Sequence, residues 1–441
     1  MKSLSGALAD ATALVAIQLA IASPSIWGRL YFENNSIGFL IAVGTVLIGL
    51  PVALAALVTW RWPAHFQGQR LLRSLTVAFA AMWLVVVFDG GTLARSSWAL
   101  LAVAAVVGGV AAYRALGVGR SGWWSRTRIA LATAGFVFFL SAPLIGRLAS
   151  PQLQWLPSVA ASNRVPTVWL LLDETSSGAS EQLVAPLRSA GLWTSVTHMT
   201  PAGVNTLDIV PSFFARQAMG PTTAPCGPTV VCAGSRSVDF SRVTAGRTGV
   251  DVVGVYHRYC AIQGLRSCVR DDRRTASWAQ QWADLRCDAL RWLGGDAACL
   301  RQLAVHDIEA RRQATQAAWD APFWREGGDL YVHVLLPHLP AQAGPMPSLG
   351  AAYRINLARA ASLLEAMAIR LQARFPDFRM VVFSDHGLRP INQCNAAYSG
   401  NCERPAEYVQ PSTVPLIVAA PRPLEIHPPA SNLGIFDLLL R

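Results

Sequence analysis

Acidic residues and histidines lie in or directly after three apolar runs in the C-terminal half of the chain. They are Asp173, Glu174, His333, His338, Asp385 and His386. Apolar runs bounded by polar residues predict buried strands, and ligands of an α/β sheet collect at the carboxyl ends of its strands. Carboxylates and imidazoles together suit a divalent metal ion. Zinc is favoured, with manganese, magnesium or calcium as alternatives.

The best-defined of these strand ends is VVFSDHG, in which Asp385 and His386 are neighbours. A single Asp-His pair is more often a turn than a metal site, but three polar strand ends favour the site. Successive side chains of a strand point to opposite faces. We therefore expect a turn at Gly387, with the positive φ that glycine tolerates, to let both side chains reach one ion.

The elements that must position these residues are those of an α/β domain. Short apolar runs, among them VWLLL, VDVVGVY, LYVHVLL, RMVVF and VPLIVAA, alternate with helical patterns, clearest at 351–374. This alternation predicts a central, mostly parallel sheet covered by helices on both faces.

The N-terminal part has a different composition. Five apolar segments fall at Ala7–Ile26, Ile37–Trp60, Leu75–Phe88, Trp98–Ala112 and Ile129–Ile145. A membrane-spanning helix needs about 20 apolar residues. The segments predict an α-helical bundle of five membrane-spanning helices, and arginines in alternate loops place the N-terminus in the cytoplasm. The expected organisation is a transmembrane domain at 1–148, a linker at 149–166 and an extracytoplasmic domain at 167–441.

Eight cysteines lie after residue 225, as four pairs of near neighbours. They are Cys226, Cys232, Cys260, Cys268, Cys287, Cys299, Cys394 and Cys402. An even number confined to one region favours disulfide bonds in an oxidising compartment. The net charge of +11 does not predict nucleic-acid binding, because no basic run is interleaved with aromatic residues.

The order of these features resembles the alkaline phosphatase and sulfatase superfamily. It is most similar to the membrane-bound branch that contains phosphoethanolamine transferases and lipoteichoic acid synthases. Ser-Asp-His-Gly at 384–387 and PHLP at 337–340 are similar to family motifs. The resemblance implies a sulfatase-like catalytic domain in which Glu174, Asp385 and His386 bind the metal, while Asp173 leaves open which acid does so. It also implies that His338, with His333 nearby, faces the substrate.

The resemblance also implies a nucleophile, because the stretch VNTLDIVP is similar to the family's threonine followed five residues later by a proline. This pattern selects Thr206 as nucleophile and metal ligand at the start of a helix, with Thr175 and Ser176 as rivals. Formylglycine sulfatases have a cysteine or serine followed by proline two residues on and arginine four residues on. Cys226 and Pro228 match this motif, but Val230 replaces the arginine, so the sequence does not predict a formylglycine sulfatase.

The implied reaction moves a phospho-head-group, of phosphoethanolamine or phosphoglycerol type, from a membrane phospholipid to an envelope glycan or lipid. The implied location is the bacterial inner membrane, with the catalytic domain in the periplasm or outside. A phosphatase, phosphodiesterase or sulfatase-like hydrolase is the alternative, and a non-catalytic membrane scaffold is a third reading. The sequence does not predict an oligomeric state.

Overall fold

The computed structural model describes residues 150–157, 165–221, 223–225, 229–270, 297–339, 348–388, 408 and 413–440. The chain divides into two compact units. One comprises 1–149 with 224–237, and the other comprises 150–223 with 238–441. In the first unit, the strands Ala224–Pro225 and Val230–Ala233 pair antiparallel. All the residues singled out above for metal or substrate binding belong to the second unit.

The second unit is built on a seven-stranded sheet. Its strands are β1 (Thr167–Leu172), β2 (Trp193–Met199), β3 (Val250–Gly254), β4 (Ser267–Arg270), β5 (Asp329–Val334), β6 (Arg379–Ser384) and β7 (Val414–Ala420). Their order across the sheet is β2-β7-β6-β1-β5-β3-β4. Strand β7 runs antiparallel to both of its neighbours, and the pairings from β6 to β4 are parallel. The prediction of an α/β domain with a mostly parallel sheet is therefore confirmed.

Helices cover the sheet. They are α1 (Ser180–Ser189), α2 (Thr206–Ala215), α3 (Ala297–Asp320), α4 (Phe323–Glu326) and α5 (Leu349–Arg374). Single 3-10 turns or short 3-10 helices occupy Ser177–Ala179, Phe240–Arg242, Tyr259–Ala261 and Asn432–Asp437. The remaining short strands are Leu153–Gln154, Arg236–Asp239, Val243–Thr244, Ile426–His427 and Leu439–Leu440.

Both faces of β1 are buried, because its alternating side chains pack into different layers. Val168, Leu170 and Leu172 join the core formed with α1, α3 and α5. On the opposite face Trp169 packs edge-on against Phe436, with ring centroids 5.5 Å apart. Helix α2 and the 3-10 helix Asn432–Asp437 contact each other on that side. Continuous apolar strands are what burial on both faces requires.

The predicted fold class, a bundle of five membrane-spanning helices joined to an α/β domain, is corrected to a mixed α/β domain. Within the residues that the structure describes, no helix is both long and apolar enough to cross a membrane. The long helices α3 and α5 carry charged residues such as Arg312 and Arg370, because one side packs on the sheet and the other meets water. The five apolar segments between Ala7 and Ile145 lie outside the described residues.

One of the expected disulfide pairs is present. Cys260 and Cys268 are bonded, with their Cα atoms 5.4 Å apart, and the bond joins the turn after β3 to strand β4. Cys232 is also disulfide-bonded, and no cysteine among the described residues is free. Cys226, Cys287, Cys394 and Cys402 lie outside the described residues, as does the side chain of Cys299.

Candidate metal centre

The carboxyl ends of β1 and β6 lie side by side. The two strands pair in parallel, and Leu172, the last residue of β1, is opposite Ser384, the last residue of β6. The next residue of each chain segment is an aspartate, Asp173 in one and Asp385 in the other. Two carboxylates separated by 212 positions in sequence are thus brought to the same edge of the sheet by strand pairing alone.

Asp173, Asp385 and His386 form a group that could hold a metal ion. Each offers one ligand atom, and these atoms all lie within 4.8 Å of one another. His386 Nε2 lies 3.3 Å from Asp385 Oδ2 and 3.8 Å from Asp173 Oδ1. All three residues are buried. Two buried carboxylates beside one imidazole carry excess negative charge, which a divalent cation would compensate.

The ring of His386 is oriented for this role by its other nitrogen. Nδ1 lies 2.9 Å from the carbonyl oxygen of Gly387, which can only accept a hydrogen bond. Nδ1 therefore carries the proton in the neutral ring, and the lone pair of Nε2 faces the two aspartates. Histidine ligands of metals are commonly fixed in this way by a backbone carbonyl.

One carboxylate oxygen of Asp385 accepts backbone hydrogen bonds, and the other lies close to His386 in the candidate metal group. Oδ1 accepts hydrogen bonds from the backbone N–H groups of His386, at 2.8 Å, and Glu174, at 3.2 Å. Oδ2 is buried and accepts no hydrogen bond from the described residues. Burial by itself would raise the pKa of Asp385, but attraction to His386 and hydrogen bonds to the carboxylate outweigh it and lower the pKa.

Glu174 takes part through its backbone. It has a positive φ of 63°, unusual for a residue other than glycine. Its N–H binds Asp385, and its carbonyl oxygen accepts a hydrogen bond of 2.9 Å from the hydroxyl of Tyr353. Asp173, and not Glu174, supplies the carboxylate of the grouped ligand atoms. The assignment of Glu174 as a metal ligand stays a prediction.

The prediction of a positive φ at Gly387 is wrong. The chain turns after β6 without a left-handed residue at this position. The glycine avoids crowding: a Cβ on Gly387 would lie 3.2 Å from Oγ of Ser176. Ser176 cannot easily move away, since its hydroxyl donates to the carbonyl of Tyr408 and accepts from the N–H of Leu388, at 2.8 and 3.0 Å.

Thr206 lies beside the group, at the first residue of α2, where the helix was expected to begin. Its hydroxyl oxygen is 3.3 Å from Asp173 Oδ1 and 3.3 Å from His386 Nε2. Oδ1 of Asp208 accepts the N–H of Asn205 at 2.8 Å, which fixes the chain where it enters the helix. A helix N-terminus offers N–H groups and a partial positive charge to an anion.

The rival hydroxyls are engaged elsewhere. Thr175 directs its hydroxyl to the carbonyl of Leu172, 3.5 Å away, and that of Ser176 bonds the backbone as described above. Among the described residues, neither hydroxyl makes a hydrogen bond with Asp173, Asp385 or His386.

His257, which the sequence did not single out, contacts the backbone of Thr206. It is fully buried, and its Nε2 lies 3.1 Å from the carbonyl oxygen of Thr206, so Nε2 donates. Burial, followed by repulsion from His333 and Arg270, lowers the pKa of His257 well below its usual value. The sequence around His257 gives no signal for this contact, because it joins positions 51 apart, in the segment after β3 and at the start of α2.

His333 is the second-last residue of β5, near the edge of the sheet where Asp173 and Asp385 lie. It is fully buried, and its Nδ1 lies 3.0 Å from the hydroxyl of Tyr259. Burial lowers the pKa of His333 to about 4, although the charge of Asp385 acts in the opposite direction. The ring is therefore neutral at physiological pH.

His338 lies in the loop after β5, partly exposed. Its backbone carbonyl accepts hydrogen bonds from Asn356 on α5, at 2.6 Å, and Arg311 on α3, at 3.0 Å. Its side chain is not among the grouped ligand atoms. The loop is thus anchored by two helices, and a contact of the imidazole with substrate stays a prediction.

No protein-family model matches this chain, and no curated protein matches it either. The resemblance to the alkaline phosphatase superfamily consequently rests on the motifs, and the geometry of the group formed by Asp173, Asp385 and His386 is a separate observation about this chain.

Proposed function

We propose that this protein is a metal-dependent phospho-group transferase that uses Thr206 as its nucleophile. The observation that carries the proposal is the position of the Thr206 hydroxyl, 3.3 Å from both Asp173 Oδ1 and His386 Nε2 at the first turn of a helix. A hydroxyl held at a buried carboxylate and imidazole pair has a proton acceptor within reach, which a merely structural threonine does not need.

Asp173, Asp385 and His386 would hold the ion, and their mixture of carboxylate and imidazole favours zinc over magnesium or calcium. A bound divalent ion would polarise a phosphoryl oxygen and lower the pKa of a nearby hydroxyl. Asp385 is kept ionised by the interactions that lower its pKa. Asp173 Oδ1 lies where it can accept the proton that leaves Thr206.

The first half-reaction forms a bond between Thr206 Oγ1 and phosphorus and breaks the bond from phosphorus to the leaving oxygen. The leaving oxygen takes a proton, for which His338 is the proposed donor, and the product on the protein is a phospho-threonine. In the second half-reaction an acceptor hydroxyl attacks phosphorus and the bond from phosphorus to Thr206 Oγ1 breaks; the acceptor's proton passes to His338, and Asp173 returns its proton to Thr206. Backbone N–H groups at the start of α2 are suited to the phosphoryl oxygens in both steps.

A phospholipid donor and an envelope glycan or lipid acceptor are the partners that the resemblance implies, and they are part of the proposal. The disulfide between Cys260 and Cys268 supports a compartment that is oxidising. Water in place of the acceptor would make the same site a hydrolase.

The test combines metal content with turnover of an activated phosphodiester. Asp385→Ala and His386→Ala should lose bound metal, whereas Thr206→Ala should keep it and lose turnover by at least about 100-fold, as expected for removal of a nucleophile. Thr175→Ala is the matched control, because it removes a buried threonine hydroxyl one residue from Glu174. It should retain both properties.

Two results would overturn the proposal. One is full metal content in both Asp385→Ala and His386→Ala, and the other is near-native turnover in Thr206→Ala. Mass spectrometry of the peptide containing Thr206, after incubation with phospholipids, identifies the transferred group from the added mass. Turnover in water without any acceptor would assign a hydrolase.

A further inference from the structure

Tyr331, Tyr259 and His333 form a chain of buried side chains within hydrogen-bonding distance of one another. The hydroxyl of Tyr331 lies 3.2 Å from that of Tyr259, which lies 3.0 Å from Nδ1 of His333. All three side chains are buried. Gly254 makes room for the middle member, because a Cβ there would lie 2.3 Å from the Tyr259 ring.

The number of protons in this chain fixes the direction of its hydrogen bonds. Both hydroxyls are protonated, since burial raises the pKa of Tyr259 and of Tyr331, and the neutral ring of His333 carries one N–H. If Tyr331 donates to Tyr259 and Tyr259 donates to Nδ1, both hydroxyl protons are used. The opposite direction leaves the proton of Tyr331 without an acceptor in a buried site, which is costly.

The favoured direction places the imidazole proton of His333 on Nε2. This nitrogen is buried and has no hydrogen-bond partner among the described residues. An N–H in this position is a buried donor without an acceptor, a feature that native structures rarely retain without a reason.

The strand register shows where this donor lies. His333 is opposite Leu171 of β1, and Asp173 follows Leu171 by two residues, so His333 and Asp173 are on the same face of the sheet. Asp385 follows Phe383, which is also opposite Leu171. His333 also stacks with His257, at 6.3 Å between ring centroids, and His257 binds the backbone of Thr206.

We propose that Tyr259 and Tyr331 hold His333 as the Nε2–H tautomer, and that this N–H donates a hydrogen bond to an oxygen of a tetrahedral oxyanion at the candidate metal centre. The ligand class is a phosphate or phosphate ester, whose oxygens are strong acceptors. Tyr259 is a positioning residue in this arrangement. His333 is a ligand-binding residue and not a metal ligand, because a protonated Nε2 has no lone pair to offer. The inference rests on the proposed function for the ligand class.

The tautomer can be measured without any activity. In full-length protein with ¹⁵N-labelled histidine, long-range ¹H–¹⁵N correlation spectra should give His333 the pattern of an Nε2–H ring. Tyr331→Phe should retain this pattern, because Tyr259 still donates to the ring. Tyr259→Phe should lose it and populate the Nδ1–H form. An Nδ1–H ring in the unaltered protein would overturn the proposal, and no variant has to fold for that result.

The second measurement is the affinity for inorganic phosphate, in the protein loaded with zinc. His333→Leu should bind phosphate about 10- to 100-fold more weakly, as expected for loss of a hydrogen bond to a charged group. His333→Gln offers an amide N–H and should recover part of the loss. Both variants should retain the metal content of the unaltered protein.

Equal phosphate affinity in the unaltered protein and His333→Leu would overturn the proposal, and loss of metal in both His333 variants would assign His333 to the metal instead. Neither readout involves turnover. If Thr206→Ala kept turnover while phosphate affinity still depended on His333, the proposed nucleophile would be wrong and this inference would stand.

Discussion

Removing the carboxylate of Asp208 should loosen the start of α2 and with it the position of Thr206. Asp208 is the third residue of the helix and is almost fully buried. Its Oδ1 accepts the N–H of Asn205 at 2.8 Å, and its Oδ2 accepts the N–H of Val204 at 3.4 Å. The change to test is Asp208→Ala.

The expected loss follows from these two contacts. Removal of a helix-capping interaction costs about 1 kcal/mol. A backbone N–H left unsatisfied in a part-buried site adds about 1 to 3 kcal/mol. Burial raises the pKa of Asp208, which shows that the buried charge is itself costly, and alanine removes that cost. We therefore expect a loss of about 2 kcal/mol, at the lower end of the summed range.

Hydrogen exchange measured by mass spectrometry reports this loss at α2 itself, which a global unfolding curve does not resolve. Peptides covering α2 should exchange about 30-fold faster in the variant, because 1.36 kcal/mol corresponds to a factor of ten. The matched control is Glu181→Ala, which makes the same change of charge at an exposed carboxylate paired with Arg188. Unchanged exchange of α2 in Asp208→Ala would refute the reasoning.

Two further predictions concern His333 and the disulfide. The pKa of His333 is about 4 in the folded protein against 6.5 in the unfolded chain, so the unfolded chain takes up a proton first as the pH falls. The free energy of unfolding should decrease by about 3 kcal/mol between about pH 6.5 and pH 4. His333→Leu should abolish this component of the pH dependence of thermal unfolding. Identical pH profiles in the unaltered protein and the variant would contradict the prediction. Cys260 and Cys268 are separated by 8 positions, so replacing both with serine should cost about 2.5 kcal/mol. Reductant should lower the thermal unfolding midpoint of the unaltered protein and leave that of the double variant unchanged. A midpoint that is insensitive to reductant in both proteins would show that the disulfide does not stabilise the fold.

The central strands could be predicted from sequence because burial on both faces leaves a continuous apolar run. VWLLL became β1, and RMVVF lies within β6. The edge strands β2 and β4 were missed, because WTSVTHM and SCVR are only half-buried and mix polar with apolar residues. An edge strand gains less from hydrophobic burial, and its sequence therefore carries a weaker signal.

The site could be predicted only as far as its residues follow strand ends. Asp173 and Asp385 were visible in this way. The choice between Asp173 and Glu174 was not, because it depends on the left-handed backbone at Glu174, which turns that residue so that its N–H binds Asp385. Tyr259 was missed for another reason: its contact with His333 joins positions 74 apart, and nothing local in the sequence indicates it.

The strand order has a consequence for biosynthesis. Strand β1 is hydrogen-bonded to β5 and β6, and the N–H of Glu174 reaches a carboxylate 211 positions further along the chain. At about 5 to 20 residues per second, the ribosome needs roughly 10 to 40 s to deliver that partner. Until β5 is synthesised, 162 positions after the start of β1, the six-residue segment TVWLLL has neither of its native neighbours, and until β6 follows it lacks one of them, so it needs shielding from other nascent chains. Protease treatment of stalled nascent chains should cut this segment readily until β6 has emerged, and protection in shorter chains would mean that another element covers it first.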